Sequence, residues 1–423
     1  MINNWDETNI VDPKYFEIVN SGVKKYNGYK QYLSTSSIEN DKIIEIEDEI
    51  EYENRPSRAN MQPSLNTIWF AKMKNTTKVY AFTENNEEEI DKYILSTGFT
   101  GVECKKGIYP LFLKQFFLST YFNDIKDSLS KGSTQKAISN RELKSIQIKI
   151  PPLEEQAGIA EILGVVDEAI QWTDAVIAKA EELKRGLMQR LLSRGIGHTE
   201  FKQTELGEIP ETWKMVRLED VILDIKYGTS LKSTIKEKGI PILRIPNIIH
   251  GKITLDEIKR IEISEKEVAN FLLNEGDLLV VRTNANPDYI GRCAPFKGIE
   301  GKWIYASYLL RLEPIKEKID TNYLNYFLTG ETGRKQIRKI ARTSAGNYNI
   351  NIPSLLSLKM ALPDYTEQMK ISNGLSNLDE KIELEVLKKT KLESLKINLM
   401  QVLYSGRVRV RLDEGGLHRV GDG

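Results

Sequence analysis

The chain has 423 residues, with 60 basic and 60 acidic side chains, two cysteines and three histidines. That length leaves room for two to four domains. The even charge argues weakly against nucleic-acid binding, and the only cysteines, Cys104 and Cys293, lie in different halves of the chain, which argues against a disulfide framework or cysteine zinc site and fits a reducing cytoplasm. Without an apolar run of eighteen residues or a charged–apolar–small leader, neither a membrane span nor secretion is expected. The scattered His198, His250 and His418 suggest no metal, and nothing suggests a cofactor.

In the first 150 residues, Thr67–Met73 and Val79–Phe82 read as strands and Leu111–Leu129 as a helix. Residues 154–192 read as one amphipathic helix. Ile159, Val166, Thr173, Ala180 and Leu187 recur at heptad spacing, with Ile162, Ala169, Val176 and Leu183 three places later. Pro151-Pro152 marks its entry and Gly195 its exit. Arg194–Pro210, with Gly195, Gly197, Gly207 and Pro210, reads as a linker, and Trp213 opens a second globular unit. There Ile240–Ile245, Leu278–Arg282 (fed by the Gly276-Asp277 turn) and Tyr308–Leu312 read as strands. Asn322–Ala341 reads as a helix interrupted near Gly330 and Gly333. A second apolar seam, from Ile371 and Leu375 to Leu399 and Leu403, stops at Gly406. The tail from Val408 is charged and Gly-rich and is assigned no structure.

The two helical stretches are copies of one another, 212 residues apart (367 − 155). Glu155 falls on Glu367, Gln156 on Gln368, Ile159 on Ile371, Asp167-Glu168 on Asp379-Glu380, and Leu187-Met188-Gln189 on Leu399-Met400-Gln401. The segments before them match far less well, as expected of a tandem duplication whose scaffold stayed alike while its globular parts diverged. At 1.5 Å per residue each helix is about 60 Å long. A single apolar stripe of that length needs a partner, and the other copy supplies one. The expected fold is α+β: two globular units separated by two long helices in an antiparallel intramolecular coiled coil.

Several motifs carry a family resemblance: Gly207-Glu208-Ile209-Pro210-Glu211-Thr212-Trp213, Gly239-Ile240-Pro241, Gly276-Asp277-Leu278-Leu279, Ile290-Gly291-Arg292 and Ala306-Ser307. In the first copy, Ile150-Pro151-Pro152-Leu153-Glu154-Glu155-Gln156 leads into the helix, and Gly195-Ile196-Gly197-His198-Thr199-Glu200-Phe201 follows it. From about residue 50 to 407 the sequence resembles the DNA specificity subunit of a Type I restriction–modification system. The resemblance implies target recognition domain 1 at 1–150, a helical spacer and linker at 151–205, target recognition domain 2 at 206–362 and a second helical spacer at 363–407, with the tail at 408–423. It implies a non-catalytic subunit that reads a bipartite site on double-stranded DNA. Its helices would dock methyltransferase (modification) subunits and restriction or translocase subunits. The second copy departs from the first at Asn347-Tyr348-Asn349, which stands where the first has Gln135-Lys136-Ala137, and at Thr366, which replaces Glu154.

Candidate DNA contacts follow from residue type. Affinity needs cations for phosphates, and specificity needs Arg, Asn or Gln for base edges. Arg334, Lys335, Arg338, Lys339 and Arg342 would form one basic helical stripe with no acid among them, and Asn347 lies in the loop after it. The corresponding stretch of the first copy offers Lys131, Ser133 and Gln135. Arg55, Arg58, Asn60 and Gln62, and Arg282, Asn284, Asn286 and Arg292, follow or flank expected strands. A solvated helix face and turn-forming asparagines are the plainer readings of these groups. Two other functions stay open. Asp288, Glu300 and Lys302 resemble the metal site of a stand-alone nuclease. Alternatively, the helices could belong to a structural coiled-coil scaffold that binds only protein. No phosphate loop of the Walker type is present.

Overall fold

The computed structural model describes residues 5–46, 49–131, 136–231, 238–344, 346–412 and 418–422. Its helices in chain order are α1 (Pro110–Leu118), α2 (Thr120–Leu129), α3 (Leu153–Arg194), α4 (Glu265–Val268), α5 (Thr321–Thr329), α6 (Glu331–Ile340), α7 (Ile352–Leu356) and α8 (Tyr365–Tyr404). The chain divides into two compact units, residues 1–175 with 387–423, and residues 176–386. Each unit therefore takes part of α3 and part of α8.

In the first unit an antiparallel sheet runs in the order Phe16–Ile18, Phe99–Cys104, Thr67–Ala71, Val79–Phe82. Thr67–Ala71 is buried at every position. Its Phe70 packs on Phe117 of α1 and Phe122 of α2, with ring centroids 4.8 and 5.0 Å away. Trp69 packs instead in a separate cluster with Leu33, Tyr93 and Phe99. Gly101, paired with Trp69, has to be glycine: a Cβ there would lie 2.7 Å from the indole. A second sheet, Glu49–Glu51, Tyr29–Leu33, Tyr93–Ser96, Ala59–Met61, contains one parallel pair, Tyr93 beside Gln31. The expected helix 111–129 is two helices. Ser119 is extended and its Oγ accepts from Phe122 N at 3.2 Å, capping α2.

The second unit repeats this order with different residues: Ile222–Tyr227, Leu309–Pro314, Leu278–Val281, Cys293–Pro295. Its second sheet again holds one parallel pair, Ile242 beside Ile304. The expected helix 322–341 breaks at Gly330, whose backbone is extended, whereas Gly333 stays inside α6. Duplication is thus visible in strand order where sequence similarity has faded.

Equivalent side chains fasten each unit to its helix segments. Gln156 accepts from Tyr109 N at 2.8 Å and donates to Gly107 O and Pro151 O; Gln368 accepts from Asp320 N at 2.9 Å and donates to Lys318 O and Pro363 O. Asp167 accepts from Gln115 of α1 and pairs with Lys396 of α8, and its copy Asp379 accepts from Tyr326 of α5 and pairs with Lys184 of α3. Asp174 pairs with Lys389, so residue numbers rise along α3 as they fall along α8 and the segments run antiparallel. Glu155 and Glu367 complete the set. Glu367 accepts from Ile196 N, His198 Nε2 and Trp213 Nε1 at 2.8–3.0 Å. Glu155 accepts from Trp5 Nε1 at 3.0 Å, from Arg409 Nε and Nη2 at 2.8 Å, and from Val410 N at 3.1 Å. The tail, to which the sequence reading assigns no structure, forms a hairpin of Val408–Leu412 and His418–Asp422. It mirrors the hairpin Phe201–Thr204 with Gly207–Pro210 that follows α3.

Candidate nucleic-acid interface

Most of the basic and amide residues singled out in the second unit converge. Thr283–Asn284, Asn347–Asn349 and Arg342–Ser344 form a three-stranded antiparallel sheet. Thr343–Asn349, expected to be a loop, is therefore a hairpin. The 3-10 turn Pro287–Tyr289 leaves one of its strands, and α6 bonds back to that turn through Arg334. Arg282, Asn284, Asn286, Arg292, Arg334, Arg338, Arg342 and Asn347 thus belong to one neighbourhood of sheet, turn and helix.

Their roles within it differ. Arg334 is a strut: half-buried, it donates to Ile290 O and to Asp288 O, and burial lowers its pKa. Its guanidinium holds the turn in place, leaving fewer donors for a phosphate. Arg292 lies over the Tyr289 ring at 3.6 Å and donates to Asp288 O, and Arg282 lies over Tyr227 at 4.8 Å and donates to Ser307 O. Each aromatic plate holds a guanidinium at a fixed height. Asn284 Oδ1 accepts from Asn286 N, and Asn286 Oδ1 accepts from Asp288 N, so both asparagines shape the turn. Their amide nitrogens are not used in those bonds.

The stripe expected over 334–342 is shorter than one helix face. Ala341 is extended and ends α6, so Arg342 falls on a strand. Compensating acids, absent from 334–342 itself, come from outside it. Lys335 pairs with Glu331, and Arg338 reaches Asp288 at 3.9 Å. Lys339 and Arg342 are exposed and have no ion pair among the described residues. Asn347 is exposed as well.

The first unit is more dispersed. Arg55 donates to Tyr52 O at 2.7 Å and lies over the Tyr52 ring. Arg58 and Asn60 use their carbonyls to accept from Thr97 N and Gly22 N, on the strand that pairs with Tyr93–Ser96, and Gln62 follows that strand half-buried. Lys131 stands elsewhere, bridged to Ala137, which also bridges Met73, and paired with Glu142 at 2.8 Å. Ser133 and Gln135 lie outside the described residues. Lys126, one turn from the end of α2, is buried and donates to Met73 O and Thr76 O, and burial lowers its pKa. In both units a helix cation therefore pins the strand-to-strand loop through carbonyls. Sequence alone could not show this, because a buried and a solvated cation read alike there.

The nuclease constellation does not assemble. Lys302 pairs with Glu265 at 2.7 Å, Asp288 is near Arg338, and Glu300 sits in the loop where its carbonyl accepts from Trp303 Nε1. Among the described residues no three His, Cys, Asp or Glu side chains are grouped as a metal site, and no helix is long and apolar enough to cross a membrane.

The strut assignment has a direct check. Arg334→Ala should speed hydrogen exchange at residues 288–292 while leaving the salt dependence of DNA binding unchanged; the opposite pattern would make Arg334 a phosphate contact.

Known proteins share both the sequence and the architecture. The type I restriction modification DNA specificity domain matches residues 13–182 and again 210–394. The type I restriction enzyme MjaVIII specificity subunit of Methanocaldococcus jannaschii is 32% identical over 333 residues, covering 76% of this chain and 75% of its own. A chain solved for the complex assembly and conformational transition of the type I R-M system has a TM-score of 0.60 at 17% identity, over 95% of this chain and 98% of its own. The S subunit of a type I restriction-modification system from M. genitalium has a TM-score of 0.55 at 14% identity, over 96% and 97%. At these identities the two structures speak for the fold. With one domain matched twice, once in each copy, the chain belongs to the type I restriction–modification DNA specificity family.

Proposed function

We propose that this chain is the cytoplasmic, non-catalytic subunit that chooses the DNA target of a type I restriction–modification complex. The domains at 1–150 and 206–362 each read one half of a bipartite duplex site. The helical regions 151–205 and 363–407 space them and dock the modification and restriction subunits, which carry the catalysis. The observation that supports this best is the neighbourhood around Asn347. Lys339 and Arg342 are exposed cations with no ion pair among the described residues and are suited to phosphates, while Arg282, Arg292 and the amides of Asn284, Asn286 and Asn347 are the residue types that read guanine and adenine edges.

The test is electrostatic. In the assembled complex, Lys339→Ala with Arg342→Ala should weaken binding to every duplex sequence alike. The plot of log affinity against log salt should become shallower by roughly 2 units, about 0.9 for each phosphate no longer neutralised. An unchanged slope would leave these cations merely solvated and refute the interface.

A further inference from the structure

The two units do not carry on the same element their exposed cations that lack an ion pair among the described residues. In the second unit Lys339 lies on α6 and Arg342 on the strand just after it. The corresponding helix of the first unit, α2, carries Asp124 and Asp127, and its one cation, Lys126, is buried as a loop strut. Beside the Lys131–Ala137 bridge the first unit therefore has only Lys131, which is paired with Glu142, and the exposed Lys136, neither of them on α2.

The structure adds two further cations on the other side of that bridge. After the Lys131–Ala137 bridge, the 3-10 helix Glu142–Ser145 folds back beside Lys131. A groove of about 720 Å³ opens there, lined by Lys131, Ser139, Arg141, Glu142, Lys144 and Ser145. Three cations face one carboxylate. Glu142 is already occupied, because Lys131 and then Ser139 N and Oγ bond to it and hold its carboxyl down at about 2. Arg141 and Lys144 are exposed and have no ion pair among the described residues, so the groove keeps two uncompensated charges. Ser145 adds a hydroxyl at its wall. A guanidinium, an ammonium and a hydroxyl around one open groove match the tetrahedral oxygens of a phosphodiester. In the second unit the positions 212 residues on are Pro353 and Leu356 of α7, which cannot serve this purpose.

We infer that the groove lined by Arg141, Lys144 and Ser145 is a DNA-phosphate site of the first unit, replacing the cations that α2 lacks. The inference rests on the DNA-reading function proposed above and deepens it: the duplicated units hold the backbone through non-equivalent residues on opposite sides of an equivalent hairpin. A free phosphate or nucleotide presents the same oxygens, so the test must separate that source from duplex.

The full chain, assembled with its modification subunits, is titrated with a mixed-sequence duplex over a range of salt. Arg141→Ala with Lys144→Ala should make the log–log slope shallower by about 1 to 2 units and weaken binding uniformly across sequences. Glu142→Gln frees Lys131 without removing a donor, and should steepen the slope by up to about 1 unit, a gain that no folding defect produces. If both variants match the parent, the groove is not a DNA site. The variant Lys339→Ala with Arg342→Ala, measured alongside, separates the two failures. A loss there with none at Arg141 and Lys144 overturns this inference alone, whereas a parent complex without DNA affinity overturns the proposed function as well. Inorganic phosphate titrated by calorimetry should show no saturable binding. Saturable binding that Arg141→Ala abolishes, with the duplex slope unchanged, would assign the groove to a small anion and sink the inference.

Discussion

Exchanging residues 206–362 for the matching stretch of another type I specificity subunit should rewrite one half of the methylated sequence and leave the other half untouched. The structure says what such a graft must preserve. The second unit is fastened to α8 through Gln368, whose partners Asp320 N, Lys318 O and Pro363 O are main-chain groups and so depend little on the donor's side chains. Three side chains of the exchanged stretch are exceptions: Trp213 Nε1 donates to Glu367 at 3.0 Å, Lys252 pairs with Glu383, and the Tyr326 hydroxyl donates to Asp379 at 2.7 Å, with its ring near Lys184. Beneath it, Leu187, Met188, Leu191 and Leu192 of α3 pack on the same core as Ile371 and Leu375 of α8. A donor that keeps Trp213, Tyr326 and the apolar character of Leu324 and Leu328 should seat without strain. The surface around Arg282, Asn284 and Asn347 can then change freely. Because each wrong base pair costs about 1–3 kcal/mol, the original second half-site should be discriminated against by several such steps. Mapping the methylated adenines in a host expressing the hybrid with its partner subunits reads the result. A change in both halves would show that the units do not read independently, and an unchanged site would show that 206–362 does not read at all.

What the sequence disclosed, and what it hid, follows from the range of each signal. The long helices were legible because a heptad seam accumulates over forty residues and is written twice. The first, read as 154–192, runs over Leu153–Arg194, and the second, read as stopping at Gly406, runs over Tyr365–Tyr404. Strands such as Thr67–Ala71 and Leu278–Val281 were legible as short, largely apolar runs. Pairs of two or three residues, such as Thr283–Asn284, fall below any periodicity window. The breaks at Ser119 and Gly330 went unread in one unit and half-read in the other, because a serine inside an apolar stretch marks a cap only once the chain is seen to turn. The tail shows an unused signal: Val408-Arg409-Val410-Arg411-Leu412 alternates with period two, the pattern of a strand. Among the candidate contacts, residue type located the neighbourhood, but not the division of labour within it. Arg334 and Arg338 have the same chemistry in sequence, and only packing shows that the first is committed to carbonyls at Asp288 and Ile290. Arg141 and Lys144 follow the stretch that offers Lys131, Ser133 and Gln135, and only the fold of the 3-10 helix Glu142–Ser145 brings them beside Lys131.

That tail hairpin should be worth several kcal/mol to the first unit and nothing to the second. Glu155 is only 6% exposed, and three of its four hydrogen bonds come from Arg409 and Val410. Burial pushes its pKa up, but the bonds from Arg409, Trp5 and Val410 outweigh it and hold the carboxyl below the usual range. Removing residues 407–423 leaves a buried carboxylate with Trp5 as its remaining partner among these, at a cost of about 3–5 kcal/mol. Against a domain stability of about 5–15 kcal/mol, that is enough to loosen the unit. Glu367, with Ile196, His198 and Trp213 all intact, should keep the second unit as it was. Hydrogen exchange followed by mass spectrometry should therefore show faster exchange in residues 5–175 of the truncated chain and parent-like rates in 176–386. Arg409→Ala should reproduce most of the effect, and Glu155→Gln in the truncated chain should recover part of it, because a neutral amide costs less to bury. The pH dependence has a fixed sign. A carboxyl with a depressed folded pKa stabilises fully above its unfolded value, near 4.5, and loses that contribution as pH falls through the folded value. The parent and the truncated chain should thus differ most at neutral pH and converge in acid. Equal loss in both units, or a difference that grows on acidification, would mean that Glu155 is not what binds the tail to the first unit.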